Sequence, residues 1–232
     1  MKKSALILAM ILLPSLLFAE TSGISKRIGI AYAFKNAELD PTFKINNETY
    51  YTNGNFFTSA GLGIAKENSV FYFKPEYNFF QKQIKNHTDY LGANILTSVN
   101  YLYDYSVEWD IYANLYFSQT FKIFYYRLEG GIGNKTSFIF GINSPISDFN
   151  LDYCLTFGAK LPWNAKIETV FSSYDLYRYP LFLCPQCSIS YSQKISPLTT
   201  FITEVDVSSS DKFTTAQYVD FIEAKFYLRF DW

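Results

Sequence analysis

The sequence has little that would mark a helical, metal-binding or nucleic-acid-binding protein. It contains 3 cysteines, 2 methionines and 1 histidine in 232 residues, and its formal net charge is −1. A chain so close to neutrality gives no electrostatic reason to bind nucleic acid, and three unevenly spaced cysteines are too few for a disulfide-stapled scaffold. After the first twenty residues, no stretch is apolar enough to form a membrane-spanning helix. Any membrane role must therefore rest on strands.

The first residues have the three parts of a secretory signal peptide. Two lysines follow the initial methionine, residues 5–17 form an apolar core, and Ala19 supplies a small residue at the cut. The core is broken by Pro14 and is shorter than the roughly 20 residues that a spanning helix needs, so an uncleaved anchor is the poorer interpretation. We predict a signal peptide over residues 1–19 and one mature domain over residues 20–232.

Apolar and polar residues alternate with a period of two along much of the remaining chain. In residues 107–118 the odd positions are apolar and the even positions are mostly polar, and residues 90–103 and 149–161 show the same division. Such alternation is typical of strands with one apolar face and one polar face. Twelve residues at about 3.3 Å each reach about 40 Å, which is enough to cross a membrane at a tilt.

This alternation predicts twelve strands, and their expected positions follow. They are residues 25–34, 55–65, 69–80, 89–103, 107–118, 122–133, 136–142, 149–161, 165–174, 187–195, 199–208 and 218–232. The longer connections would be 35–54, 81–88, 143–148, 175–186 and 209–217. Short turns that alternate with longer loops are typical of outer-membrane barrels. Loss or merging of a weak pair would leave ten strands, which is the alternative.

The end of the chain carries the most specific pattern. From Ile222 onwards every second residue is apolar, and the last residue is a tryptophan. This pattern resembles the C-terminal assembly signal of bacterial outer-membrane barrels, and its residues would be Phe226, Leu228, Phe230 and Trp232. A soluble β-sandwich is the competing interpretation. In a sandwich, this last strand would form an exposed apolar edge that favours aggregation. A closed barrel instead pairs the last strand with the first strand and leaves no edge. We expect an all-β fold: a closed antiparallel up-and-down transmembrane β-barrel in the bacterial outer membrane.

The resemblance also implies partners and a function. The partners would be outer-membrane lipids and the barrel-assembly machinery. In size the chain is similar to the twelve-stranded, narrow, oligosaccharide-specific porins of enteric bacteria, and in overall character it resembles small spirochaetal barrels. We expect a narrow porin-like channel for small hydrophilic solutes. The alternative is a non-conducting structural or adhesive barrel whose long loops contact a partner.

If the apolar faces point to lipid, the charged residues on the other faces line the lumen. The candidates are Glu108, Asp110, Arg127, Glu129, Asp152, Lys160, Lys166, Glu168, Glu204, Asp206, Glu223, Lys225 and Arg229. Because acidic and basic residues are interspersed, we expect no strong field of one sign. Paired charges would fill a narrow interior, whereas separated rows of charge would line a water-filled path. The sequence leaves both arrangements open.

Few residues suit catalysis or metal binding. Cys184 and Cys187 have the spacing of a redox motif, but no helix follows to activate a thiol, so a loop disulfide or an unpaired thiol pair is the better interpretation. A zinc site would need two further ligands, and only His87 and Cys154 are soft candidates. His87 lies in a predicted loop, where a lone histidine is usually solvated surface. We expect no metal, no cofactor and no enzymatic activity.

Overall fold

The structure, a computed structural model, describes residues 23–35, 38–66, 68–103, 106–173, 186–208 and 221–232. Its strands are β1 (Ile24–Lys35), β2 (Glu38–Asn53), β3 (Phe56–Ala65), β4 (Asn68–Ile84), β5 (His87–Leu102), β6 (Ser106–Phe121), β7 (Phe124–Ile139), β8 (Ile146–Leu161), β9 (Ala165–Ser172), β10 (Gln186–Ser196), β11 (Thr199–Ser208) and β12 (Phe221–Asp231). Neighbours in sequence pair antiparallel, and β1 pairs with β12. The expected closed antiparallel barrel of about twelve strands is confirmed.

Closure removes the free edges that an open sheet would expose, so the backbone hydrogen bonds of the strands are satisfied within the wall. Within the described ranges, the one helical element is a short 3-10 turn, Pro162–Asn164, that joins β8 to β9. In the parts of the chain described above, no helix is long and apolar enough to cross a membrane. The predicted signal peptide, residues 1–19, lies outside the described residues.

The expected number of strands is correct because two errors in their positions cancel. Strand β2 occupies most of residues 35–54, which were expected to be a loop. Residues 46–49 are all polar and hide the alternation there. Strand β7 joins two segments that were expected to be separate, since residues 133–135 continue the strand where a turn was predicted. The total is still twelve because β2 was not predicted and β7 was predicted as two strands.

The connections differ between the two ends of the barrel. At the end where β1 begins and β12 ends, here called the terminal end, all turns are short: residues 54–55, 85–86, 122–123, 162–164 and 197–198. At the other end, the loop end, the connections are residues 36–37, 66–67, 103–105, 140–145, 173–185 and 209–220. The three longest connections all lie between β7 and β12. The long loop expected over residues 81–88 is therefore wrong, because this segment is a tight hairpin at the terminal end.

Side chains alternate between the interior and the outer surface of the barrel. In β6 the even-numbered residues from Ser106 to Tyr116 are buried, whereas Trp109 and Leu115 are exposed. The buried face is the interior because it reaches strands that are not neighbours: the Tyr116 hydroxyl of β6 donates to Asn78 Oδ1 of β4 at 2.6 Å. The outer surface is a continuous band of exposed apolar side chains, as at Leu151, which is 69% exposed.

Five inward tyrosines each lie directly over a glycine of the neighbouring strand. The pairs are Gly29 with Tyr227, Gly61 with Tyr72, Gly92 with Tyr116, Gly133 with Tyr112, and Gly158 with Tyr125. At each of these glycines, a Cβ atom would overlap the ring of the paired tyrosine. The absence of a side chain lets the ring cover the backbone of the next strand, which offsets the weak strand preference of glycine.

Replacing Gly133 with valine is expected to destabilise the barrel by about 1–3 kcal/mol, because the new side chain would displace the Tyr112 ring from a packed position. Gly130 of the same strand is the matched control. It faces outwards, and a Cβ atom there would meet no atom closer than the Asp152 backbone oxygen at 3.9 Å. Urea unfolding of both variants in lipid vesicles checks this prediction. Equal unfolding midpoints for Gly133→Val and Gly130→Val would contradict it.

Candidate functional site

The interior of the barrel collects most of the charged residues that the sequence marked as lumen candidates. Nine of them face inwards between the two ends: Glu108, Asp110, Arg127, Glu129, Asp152, Glu204, Asp206, Glu223 and Lys225. Four others lie at the mouth of the terminal end, where the three basic ones are more accessible: Lys160, Lys166, Glu168 and Arg229. The inward charges therefore divide into a buried set along the wall and an accessible set at one mouth.

One group of buried charges lies on the strands that close the barrel. This seam cluster consists of Arg27, Lys44, Glu48, Glu204, Asp206, Glu223 and Lys225, from β1, β2, β11 and β12. Lys225 is its centre. Its Nζ atom lies 2.9 Å from Glu204 Oε1 and 3.6 Å from Glu223 Oε2, and it also binds the Asp206 carboxylate. A single ammonium group thus holds three carboxylates together.

Arg27 connects the two sides of the seam cluster. Its Nη2 atom donates to Glu48 Oε1 at 2.8 Å, and its Nη1 atom lies 3.8 Å from Glu204 Oε2. The guanidinium also lies 4.0 Å from the centre of the Tyr227 ring, and the Tyr227 hydroxyl accepts a hydrogen bond from Asn46 Nδ2 at 3.1 Å. Stacking on an aromatic ring suits the planar arginine cation. These contacts fix Arg27 along the wall.

A second group of buried polar side chains lies about half a turn around the barrel. This opposite cluster consists of Lys74, Glu76, Asn94, Asn114, Arg127, Glu129 and Asp152, from β4 to β8. Glu129 is its centre. Its carboxylate accepts hydrogen bonds from Asn94 at 2.7 Å, Asn114 at 3.2 Å and Lys74 at 3.3 Å, and it forms an ion pair with Arg127 at 2.8 Å.

Contacts between distant strands hold the opposite cluster inside the barrel. Arg127 of β7 binds Glu76 of β4, three strands away, and its guanidinium lies 3.7 Å from the centre of the Tyr116 ring. Asn114 donates to Asp152 Oδ2 at 2.6 Å, and the Ser173 hydroxyl donates to the other oxygen of the same carboxylate. Because each strand is tilted and paired only to its neighbours, such contacts are made only through the interior.

A smaller polar group lies nearer the loop end. Lys135 Nζ is 2.9 Å from Glu108 Oε1, and Asn100 donates to the other oxygen of that carboxylate at 3.3 Å. Asp110, on the same strand, accepts a hydrogen bond from the Ser98 hydroxyl at 3.2 Å. These residues make the inner wall hydrophilic near the loop end as well.

Two cavities lie between the side chains of the interior. The first, of about 320 Å³, separates the two clusters, since Arg27 and Glu204 line one side and Lys74 the other. The second, of about 410 Å³, lies towards the terminal end and is lined by Arg127 and several aromatic and hydroxyl side chains: Tyr50, Tyr51, Phe57, Thr58, Ser59, Tyr90, Tyr116, Ser118 and Thr120. Both cavities are lined by Tyr50, Ser59 and Glu76. The two cavities are therefore adjacent.

The alternation of apolar and polar residues does not identify several of the interior residues. Lys44 and Glu48 belong to β2, which was expected to be a loop, and Lys135 lies in the stretch of β7 that was expected to be a turn. The signal for β2 was present but short. Residues 44, 46, 48 and 50 are polar or amphipathic and alternate with two apolar residues, Phe43 and Ile45, before the pattern fades.

The positions of the cysteines and of the histidine bear on the candidates for redox chemistry and metal binding. Cys187 forms no disulfide among the described residues, and Cys184 lies outside them, so the predicted pairing stays a prediction. Cys154 is a free thiol that lines the cavity between the clusters. His87 is the first residue of β5 instead of a loop residue, with Nε2 3.3 Å from Asp89 Oδ1.

Comparison with solved structures places the fold among outer-membrane barrels. NanC porin has a TM-score of 0.56 at 11% identity and matches 88% of this chain and 98% of its own. KdgM porin has a TM-score of 0.54 at 10% identity and matches 89% of this chain and 99% of its own. Outer membrane phospholipase A from Escherichia coli has a TM-score of 0.51 at 9% identity, with 89% of this chain and 92% of its own matched. No family model and no curated protein matches the sequence. At these identities the likeness shows the fold alone.

Proposed function

We propose that the protein is a narrow channel of the outer membrane that passes small hydrophilic solutes. The polar space formed by two adjacent cavities of the interior is the observation that carries this proposal. Charged, hydroxyl and amide groups line it, and such groups favour water over a dry interior because burying them without partners is costly. The apolar outer surface supports contact with lipid, as in other transmembrane barrels.

The barrel size also supports a channel. Eight strands enclose an interior just wide enough for side chains, whereas twelve strands leave more room between facing walls. Two of the solved barrels of similar fold are porins by name, although a third is a phospholipase. A barrel plugged by its own ion pairs is the second candidate. It is favoured by the contacts that Arg127 and Lys74 make with strands three places away.

Planar-bilayer recording of the refolded mature chain separates the two candidates, and the free thiol of Cys154 sharpens the test. In a Cys184→Ser, Cys187→Ser background, Cys154 is the remaining cysteine and lines the cavity between the clusters. We expect discrete conductance steps that fall sharply when a bulky water-soluble methanethiosulfonate reagent is added. Modification would place a large group in the cavity between the clusters.

The matched control carries Cys154→Ser in the same background and should conduct before and after the reagent. Folding of each variant is checked by heat-modifiable migration on gels. Absence of conductance steps in protein shown to be folded would overturn the channel proposal and favour the plugged barrel. Steps that the reagent leaves unchanged, in protein whose Cys154 is shown to be modified, would place the conducting path elsewhere.

A further inference from the structure

The charged side chains along the interior wall are predominantly acidic. Among the side chains that the structure describes between the two mouths, the inward carboxylates are Glu48, Glu76, Glu108, Asp110, Glu129, Asp152, Glu204, Asp206 and Glu223. The inward basic side chains are Arg27, Lys44, Lys74, Arg127, Lys135 and Lys225. Nine carboxylates thus face six cations, which leaves a surplus of negative charge.

All six cations are already bound by carboxylates of the protein. Each lies within 4.0 Å of at least one carboxylate oxygen, and Lys225 lies within that distance of three. Asp110 and Asp152 differ. Among the described residues neither has a lysine or arginine nitrogen within 4.0 Å, and their hydrogen bonds come from neutral groups: Ser98 for Asp110, and Asn114 and Ser173 for Asp152. Lys135 lies opposite Asp110 on the neighbouring strand, but it is already paired with Glu108. The surplus charge is therefore concentrated on two carboxylates that form no direct ion pair with a described lysine or arginine.

The mouth of the terminal end has the opposite character but less influence. Lys160, Lys166 and Arg229 lie there with Glu168, and two of these basic groups are paired with nearby carboxylates. Charges at an accessible mouth are screened by salt within a Debye length of about 10 Å at 0.1 M. Charges deep in a narrow lumen with low-dielectric walls are screened much less and act strongly on a passing ion. The buried wall should thus decide which ions pass.

We infer that the channel selects cations and uncharged hydrophilic solutes and disfavours anions, acidic oligosaccharides included. This inference rests on the proposed channel function and adds its selectivity. An entering cation would meet carboxylates whose charge is only partly compensated. An entering anion would meet cations that already have protein partners, and it would have to displace them. Rings of fixed charge act in this way in other selective pores.

Reversal potentials in a potassium chloride gradient test the inference on the intact mature protein. We expect the wild-type reversal potential to be shifted from zero towards the equilibrium potential of potassium. The double variant Asp110→Asn, Asp152→Asn should shift it markedly towards zero, because it removes two carboxylates that form no direct ion pair with a described lysine or arginine. The amide replacements keep the size of both side chains and leave no lysine or arginine without its partner. The control, Asp231→Asn, removes a carboxylate at the terminal mouth and should leave the wild-type value unchanged.

The outcomes separate the selectivity from the channel itself. A wild-type channel that conducts but is unselective or prefers chloride would overturn the inference and leave the proposed function standing. A double variant that folds and keeps the wild-type reversal potential would also overturn the inference. If the double variant does not fold, each single variant should give part of the shift, and the absence of a shift in both would count against the inference. Loss of all conductance in folded wild-type protein would instead overturn the proposed function.

Discussion

Replacing Lys225 with methionine is expected to prevent the barrel from folding stably. Its ammonium group is buried among the carboxylates of Glu204, Asp206 and Glu223, all of which it binds. Removing one partner of a buried ion pair costs about 3–5 kcal/mol, because the other charge stays buried without compensation. Here three carboxylates lose a cation that they share. Since proteins are commonly stable by only about 5–15 kcal/mol, we expect the variant to lose most of its free energy of unfolding.

The folded fraction of Lys225→Met is measured by heat-modifiable gel migration and by urea unfolding in detergent or lipid. Lys194→Met is the matched control, because Lys194 is an exposed lysine near the terminal end and should tolerate the change. Adding Asp206→Asn to Lys225→Met should restore part of the stability, because it removes one of the carboxylates that lose Lys225 and leaves the partners of Arg27 and Lys44 in place. Equal unfolding midpoints for Lys225→Met and Lys194→Met would show that the seam cluster does not depend on Lys225.

Replacing both Phe230 and Trp232 with serine is expected to block insertion into the outer membrane while leaving export intact. These residues end β12, which closes the barrel by pairing with β1 along its whole length. The Trp232 amide donates to the Ile24 carbonyl at 2.9 Å, and the two aromatic rings lie 6.3 Å apart. The change removes both the aromatic end that resembles an assembly signal and the apolar cover over the closing strands.

Cell fractionation distinguishes insertion from export in this experiment. The variant should accumulate in the periplasm without its folded band, whereas wild type should be found in the outer membrane. Phe201→Ser is the control, since Phe201 is an outward aromatic residue of the neighbouring strand β11 and is paired with Leu228. It loses a similar apolar contact but keeps the end of the chain. Normal insertion of the Phe230, Trp232 variant would mean that the terminal pattern has no role in assembly.

The sequence predicts the fold well because a barrel wall has a simple period. Strands such as β6 and β8 carry a strict alternation over most of their length, and their inward and outward faces follow directly from it. The prediction fails where both faces are polar for several residues, as in β2, and where a glycine stands beside polar residues, as at Gly133 in β7. In both places the local signal is that of a loop, and only pairing with neighbouring strands makes it a strand.

The candidate site was less predictable because it depends on register. The alternation identifies Glu129 and Lys225 as inward residues, but it does not tell which side chains of distant strands they meet. Lys74 reaches Glu129 only because β4 and β7 are brought together by the curvature of the wall. The pairing of each inner tyrosine with a glycine likewise needs the alignment of two strands. A shift of one residue would turn every such contact to the opposite face.

The tyrosines that lie over glycines bear on the width of the path as well as on the wall. Each ring rests against the backbone of the next strand instead of pointing at the barrel axis. How far each of the five rings extends towards the barrel axis therefore depends on the glycine beneath it. A single methyl group at Gly61 or Gly133 would push its tyrosine ring off the wall and towards the axis, because the nearest atoms there all belong to the ring. The glycines thus set how far each tyrosine ring stands from the barrel axis, and replacing them would narrow the interior while every charged residue of the sequence is kept.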